Sequence, residues 1–394
     1  MSQPLRILRA LPFFGEHFGG PIAQARIVNR ELIAQGHDVR LIASDLGQPP
    51  EVPRNTWHRH EGVDYLFIKT AGLGTLPPYI PPRKARSELH AAIAEADIAT
   101  INCGLSLWGK AVMTAARTAS VPFVYNAEGA LDPIRLTQKR WQKKLFMHYC
   151  EGAVLREAAA LQAVTEYEAK TLVALGATPS RVHVIPNGVE LSKHATRAQR
   201  SAGRQRLGLS ESASVVLFFG RITALKGIDL LLAAAGPLMR ERTDLHIAIV
   251  GPDEGATAKL RRQTQTLQIE SHVHFYPGVT DDIAKSEVFA AADVFALTSR
   301  TEGLPNAVLE AASAGLPLLL TTACHMPEVA EANAGAVCEL EVDAIAIALN
   351  RLLSDLDYRQ HCSDNARSMA SERFSLTTVV DRLVHMYCNL IKTN

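Results

Sequence analysis

Two glutamates separated by seven residues stand in the stretch Ser299-Arg300-Thr301-Glu302-Gly303-Leu304-Pro305-Asn306-Ala307-Val308-Leu309-Glu310. An apolar run precedes it and a helical pattern follows. Glu302 therefore falls in a loop, and Glu310 about one turn inside a helix that Pro305 and Asn306 suit as a start. The free amides of a helix start attract anions. A loop carboxylate beside them can read sugar hydroxyls, and a helix carboxylate below them can accept hydrogen bonds from a ribose. Taken alone, the two read better as a solvated glutamate and a capping glutamate, because paired glutamates are common.

Arg221 and Lys226 lie five residues apart after another apolar run, flanked by Gly220 and Gly227. Both can converge on a diphosphate, the arginine as a fork and the lysine as a mobile point charge. Departure of a nucleoside diphosphate from a sugar builds negative charge, which two cations and a helix N-terminus stabilise. That arrangement needs no Mg²⁺. No Asp-x-Asp pair lies in a loop suited to hold one, and the adjacent Asp281-Asp282 reads as a helix N-cap. No cofactor and no metal are expected.

In the first half, Gly19-Gly20 precedes a helix from Pro21 and lets backbone approach a ligand. It can touch a phosphate or an acceptor, or be a plain turn. It is not Gly-x-Gly-x-x-Gly, which weakens a nicotinamide reading. In Asn126-Ala127-Glu128-Gly129-Ala130, Glu128 can orient an acceptor, support positive charge at an anomeric carbon, or serve structure alone.

These residues need strands to carry them. Strands are expected at 5–11, 39–43, 63–68, 98–102, 122–126, 161–165 and 182–185, with helices at 21–35, 87–96 and 110–119 between them. The pattern restarts with strands at 214–220, 246–251, 273–276, 294–297 and 318–321. Helices at 227–238, 256–267, 285–291 and 306–314 separate them. Alternation of this kind implies parallel sheets covered on both faces. The polar stretch 190–208 reads as the link between the halves. Two facing sets of strand ends make an inter-domain cleft the default site.

The motifs together resemble the glycosyltransferase family 4 enzymes of GT-B fold. That family's mark is Ser-x-x-Glu-Gly, then a second Glu followed by Ala, as in Ser299, Glu302, Gly303, Glu310 and Ala311. Phe219-Gly220-Arg221-Ile222 with Lys226-Gly227 is similar to its Gly-Arg…Lys-Gly loop. Ile185-Pro186-Asn187-Gly188-Val189 resembles its Pro-Asn-Gly turn. Val250-Gly251-Pro252, Gly19-Gly20-Pro21 and the run from Ala291 to Ser299 resemble further motifs in the family's order.

The resemblance implies an α/β protein of two Rossmann-like doubly wound domains. The N-terminal acceptor domain would take residues 1–195, with helix 376–394 packing back on it. The C-terminal donor domain would take 205–372. It implies a retaining hexosyltransferase using a UDP- or GDP-sugar and a glycan or lipid-linked acceptor in polysaccharide assembly. Catalytic roles would fall to Arg221, Lys226, Glu302 and Glu128. Donor binding would fall to Gly19, Gly20, Gly220, Arg221, Lys226, Gly251, Gly303, Leu304, Pro305, Asn306 and Glu310. Relatives often carry His-Gly or Arg-Gly where this chain has Glu128-Gly129, and a donor phosphate oxygen can take the acceptor's proton instead. Leu304-Pro305-Asn306 departs from the commoner Phe-Gly pattern, so sugar preference is not carried over. A GT-B epimerase or phosphorylase, or an inactive nucleotide-sugar binder, is the alternative. A phosphorylase would need a cofactor-lysine environment, and epimerases lack this set of cations and acids.

The bulk numbers agree. The chain has 394 residues, 47% hydrophobic and 21% charged, with 41 basic against 40 acidic residues and a net charge of +1. That is room for two cores, without the basic excess of a nucleic-acid binder. No run is long enough to span a bilayer, and the start lacks the pattern of a signal peptide, so a cytoplasmic protein is expected. Arg135, Lys139, Arg140, Lys143 and Lys144, with Trp141, Leu145 and Phe146, form a basic amphipathic stretch. It suits either a solvated helix face or peripheral contact with an anionic membrane. The six cysteines form no Cys-x-x-Cys pair and read as reduced thiols. The pairs His58/His60 and His272/His274 lack further ligands and read as structural or surface histidines.

Overall fold

A computed structural model describes residues 3–15, 18–72, 79–102, 104–137, 146–279 and 281–393. The chain divides into two compact units. Unit 1 is Met1–Gly188 with Leu376–Asn394, and unit 2 is Val189–Ser375.

Unit 1 holds strands β1 (Arg6–Leu11), β2 (Asp38–Ser44), β3 (His58–His60), β4 (Val63–Ile68), β5 (Ile98–Asn102), β6 (Phe123–Asn126), β7 (Ala160–Ala163) and β8 (Val182–Val184). They form one sheet in the order β3-β4-β2-β1-β5-β6-β7-β8, parallel throughout except that β3 runs antiparallel to β4. Its inner strands are almost wholly buried, as expected of strands covered on both faces. One layer is closed by helices Arg83–Ala94 and Leu107–Ala119, which pack over Leu8, Ala99, Ile101 and Tyr125. The other is closed by helix Gly20–Ala34 and the C-terminal helix Leu376–Thr393, which meet over Ile7 and Val124. Val379, Val380, Leu383, Val384 and Tyr387 make the buried stripe of that last helix, at the three-to-four-residue spacing of one helical face.

Unit 2 holds β9 (Ser214–Phe219), β10 (Leu245–Val250), β11 (Val273–Tyr276), β12 (Val294–Leu297), β13 (Leu318–Thr321) and β14 (Gly335–Cys338), all parallel, in the order β11-β10-β9-β12-β13-β14. In each unit the chain winds outward from one central strand and then returns to its other side. The reversal lies between β1 and β5 in unit 1 and between β9 and β12 in unit 2. Ligands of doubly wound folds bind beyond the carboxyl ends of strands at such reversals.

The expected link at 190–208 is different in the structure. Residues Arg197–Arg206 form a helix of unit 2, opened by a capping box between Thr196 and Gln199. The helix packs on helix Asp282–Ala291 so closely that a Cβ on Gly203 would overlap the Glu287 carbonyl oxygen. Arg200 and Arg204 both reach Asp293, and Arg204 is 1% exposed. A helix held by arginines has no apolar stripe to betray it. The chain passes between units at Gly188–Val189 and Ser375–Leu376. Within unit 2 the two passages are tied by the Val189 amide donating to the Phe374 carbonyl at 2.8 Å.

Candidate active site

The unit 2 site is built at the β9/β12 reversal. Gly220 leaves β9 and Gly251 leaves β10, with φ of 143° and 158°. A Cβ on Gly251 would overlap the Gly220 carbonyl, so these two exits approach as only glycine allows. A short 3₁₀ turn, Ala224–Lys226, then leads through Gly227 (φ 62°) into helix Ile228–Glu241.

This turn is stitched to the loop after β12. The Arg300 amide donates to the Leu225 carbonyl at 2.8 Å and Thr298 Oγ1 to the Gly227 carbonyl at 2.8 Å. The Arg300 guanidinium forks onto Asp229 at 2.7 and 2.9 Å and donates to the Ala224 carbonyl. The bidentate pair holds the Asp229 carboxyl below the usual carboxylate range.

On this frame Lys226 Nζ lies 2.7 Å from Glu302 Oε1, which also accepts from the Ser299 hydroxyl. The Glu302 side chain is 6% exposed and that of Lys226 19%. The structure thus brings together the cation and the loop acid, 76 residues apart in sequence. Arg221 is half exposed and bonds Glu254 at 2.9 and 3.0 Å. Glu310 lies in helix Asn306–Ser313, one turn from its start at Pro305, and Lys285 approaches it at 3.2 Å. Burial raises the Glu310 pKa, and Lys285 opposes that. Leu304 packs on the unit 2 core, and Gly303 is half-buried in the loop between.

In unit 1, Gly19 (φ 73°) caps the helix that Gly20 begins. Glu128 (φ 51°) and Gly129 (φ 74°) are both left-handed, a costly state for a glutamate. Side chains hold the loop there. Asn102 Nδ2 donates to Glu128 Oε1 at 2.8 Å, and the Glu128 amide donates to Asn126 Oδ1 at 3.0 Å. Glu168 accepts from the Gly129 and Val164 amides, both at 2.7 Å. Residues 139–145 of the basic stretch lie outside the described residues. Among the described residues no helix is long and apolar enough to cross a membrane.

On the other face of the sheet, Glu151 ends a π-helical turn, Met147–Glu151. Its carboxyl accepts from Tyr125 OH and from the Leu105 amide at 3.1 Å. Burial pushes its pKa up to about 7. Because the folded value is raised, this group's stabilisation is full at and below the ordinary carboxyl range and is lost as pH rises through 7. Glu151→Gln is therefore expected to flatten the fall in urea midpoint between pH of about 4.5 and 7.5. Parallel pH dependence in wild type and variant would show that Glu151 does not titrate there.

Asp281 Oδ2 accepts from the Ala284 amide at 2.7 Å, the N-cap read from sequence. Among the described residues no group of three or more His, Cys, Asp or Glu is arranged to hold a metal ion. His246 Nδ1 and His274 Nε2 are 3.1 Å apart and His272 Nδ1 is 2.8 Å from the Leu245 carbonyl, so these rings are bonded within unit 2.

Sequence reading missed Asp229, Arg300, Glu254, Lys285, Glu151 and Glu168. Arg300 sits inside the quoted Ser299–Glu310 motif, and Asp229 two residues beyond the Lys226-Gly227 motif, in the first turn of the helix that follows; their opposite charges were the one signal they offered.

Two family models match the chain, Glycosyltransferase Family 4 over residues 19–193 and Glycosyl transferases group 1 over residues 199–369. A D-inositol 3-phosphate glycosyltransferase of Geodermatophilus obscurus is 35% identical over 249 residues, 60% of this chain and 54% of that protein. One of Gordonia bronchialis is 31% identical over 258 residues, 62% and 55% of the two chains. The chain spans about half the length of the curated relatives it matches. Among solved structures, Anabaena Alr3699/HepE in complex with UDP and glucose superposes with a TM-score of 0.75 at 19% identity, over 98% of this chain and 100% of that one. Sucrose-phosphate synthase of Thermosynechococcus elongatus gives 0.78 at 18% identity, over 99% and 100%. The fold is that of the GT-B glycosyltransferases. With both halves matched in order by the two models, the chain belongs to the family 4, group 1 glycosyltransferases.

Proposed function

We propose that the protein is a retaining, metal-independent glycosyltransferase that moves a hexose from a UDP- or GDP-sugar to a hydroxyl of a glycan or lipid-linked acceptor. The observation that carries this reading is the Lys226–Glu302 contact at the β9/β12 reversal. A diphosphate arriving there exchanges one anionic partner of Lys226 for another. Glu302 is then free to accept from the hydroxyls of the transferring sugar. Arg221, half exposed beside Glu254, swings to the same phosphates, and Glu310 takes the ribose hydroxyls. In unit 1, Glu128 faces the acceptor, aimed by Asn102. The Anabaena neighbour with UDP and glucose supports the donor class, and the relatives' names add a small phosphorylated polyol to the acceptors worth trying.

Calorimetry with free UDP and GDP tests the donor side. Wild type is expected to bind one of them. Glu310→Gln is expected to weaken that binding about tenfold, the worth of a hydrogen bond to a charged group. Equal affinity in the variant would reject the ribose contact, and no binding of either nucleotide by wild type would reject the donor class.

A further inference from the structure

Beyond β9 each of the two cations rests on an acid. Lys226 meets Glu302, which is buried and also bonded to Ser299. Arg221 meets Glu254, and their side chains are 45% and 41% exposed. Two long exposed side chains can meet by chance, but here the backbone places them. The Gly220 amide donates to the Val250 carbonyl at 3.0 Å, and the Ile222 amide to the Pro252 carbonyl at 2.9 Å. The Glu254 amide donates back to the Ile222 carbonyl at 3.1 Å. These bonds carry the parallel pairing of β9 and β10 past both strand ends, with Ile222 opposite Asp253. Arg221 and Glu254 therefore leave neighbouring segments of fixed register.

Asp253 fixes the acid's loop from the other side. Its Oδ1 accepts from the amides of Gly255, Ala256 and Thr257 at 2.9, 3.1 and 3.1 Å, where helix Thr257–Leu267 begins. An acid of the chain thus fills the anion-binding start of that helix. The helix after β9 starts at Gly227 with no side-chain cap. Beyond β10 the chain supplies its own anions, one to a helix start and one to a guanidinium.

The second of these is built to part. Arg221 Nη1 bonds both Glu254 oxygens, at 3.0 and 2.9 Å. One nitrogen shared between two oxygens falls short of the two-nitrogen fork that Arg300 makes on Asp229. An exposed ion pair shifts an equilibrium by about fivefold at most. A diphosphate offers the same guanidinium more charge and more oxygens, so exchange favours it. Glu254 is then left beside a phosphate and repels it. Both effects hold down affinity for a diphosphate and speed its departure.

We propose that Glu254 is an internal counter-ion of Arg221, displaced by the donor's diphosphate and restored when the nucleoside diphosphate leaves. The proposal rests on the transferase reading above, which brings Arg221 to those phosphates.

Calorimetry on the full chain with UDP, GDP and inorganic pyrophosphate tests it. Glu254→Gln keeps the side chain's size and removes its charge. It is expected to bind the nucleotide that wild type binds about two- to fivefold more tightly at low salt. The gain should shrink at about 0.5 M salt, where exposed charges are screened. In an Arg221→Gln background the same substitution should gain markedly less, because the two side chains act as a pair. An equal gain there would make Glu254 a plain repelling charge and overturn the pairing. Nucleotide bound by wild type, with affinity unchanged or weaker in Glu254→Gln, would overturn the proposal and leave the donor class standing. Pyrophosphate bound more tightly by the variant, with neither nucleotide bound by wild type, would uphold the counter-ion and sink the donor class. No diphosphate bound by either protein would sink both.

Discussion

Lys226→Ala is expected to lower turnover by about a hundredfold or more, the usual consequence of removing one preorganised group that meets developing charge. The ammonium it deletes sits 2.7 Å from Glu302 at the start of helix Ile228–Glu241. There it adds a full charge to the positive end of the helix. The loss should appear in kcat and kcat/KM together, because charge on a departing diphosphate is larger in the transition state than in the bound donor. The fold should survive. Glu302 keeps the Ser299 hydroxyl, and the Arg300–Asp229 fork holds the turn without the lysine. Turnover in the variant within a fewfold of wild type, with donor bound, would remove Lys226 from the chemistry.

Gly227→Ala is expected to cost far more stability than a methyl group added at an unhindered glycine. Gly227 has φ 62°, a left-handed state that costs an L-residue about 1–2 kcal/mol. Here the new Cβ would also overlap the Thr298 carbonyl oxygen, where the chain leaves β12. Neither wall can yield, since Thr298 Oγ1 bonds the Gly227 carbonyl and the Arg300 amide bonds Leu225. Gly36 separates the two costs. Its φ is 88°, and an added Cβ there meets nothing within 4 Å. Gly36→Ala should therefore cost about 1–2 kcal/mol, and Gly227→Ala about 3 kcal/mol or more, in the range of severe core lesions. Urea midpoints compare them directly. Equal midpoints would mean that the Gly227 collision relaxes away. Nucleotide affinity should fall with Gly227→Ala and stay level with Gly36→Ala, because only the former displaces Lys226.

Much of the fold could be read from the chain. Strands such as β9 and β12 are apolar along almost their whole length because both their faces are covered, and they announce themselves without partners. The glycines after β9 and β10, Gly220, Gly227 and Gly251, stood out as loop positions of interest, and the structure crowds backbone against Gly227 and Gly251. The elements that stayed hidden share a cause. Strand β3, His58-Arg59-His60, is a largely exposed antiparallel edge with no apolar alternation. The helix at Arg197–Arg206 docks through guanidinium groups and a glycine rather than through an apolar stripe.

The candidate site divides in the same way. Lys226, Glu302 and Glu310 could be singled out by type, spacing and neighbouring turns, all of which are local. What each touches was not local. Asp229 finds Arg300 across 71 residues, Lys285 finds Glu310 across 25, and Asn102 finds Glu128 across 26. The buried polar side chains Arg9, Thr100, Asn102, Asn126 and Gln162 share one face of the unit 1 sheet and come from four strands. Sequence by itself determined which side chains alternate, where turns fall and which residue types wait at strand ends, because short-range sterics and burial leave periodic marks. Strand order and helix docking decided which of those ends meet, because pairing between distant segments is selected by packing of the whole unit and leaves no mark at any one position.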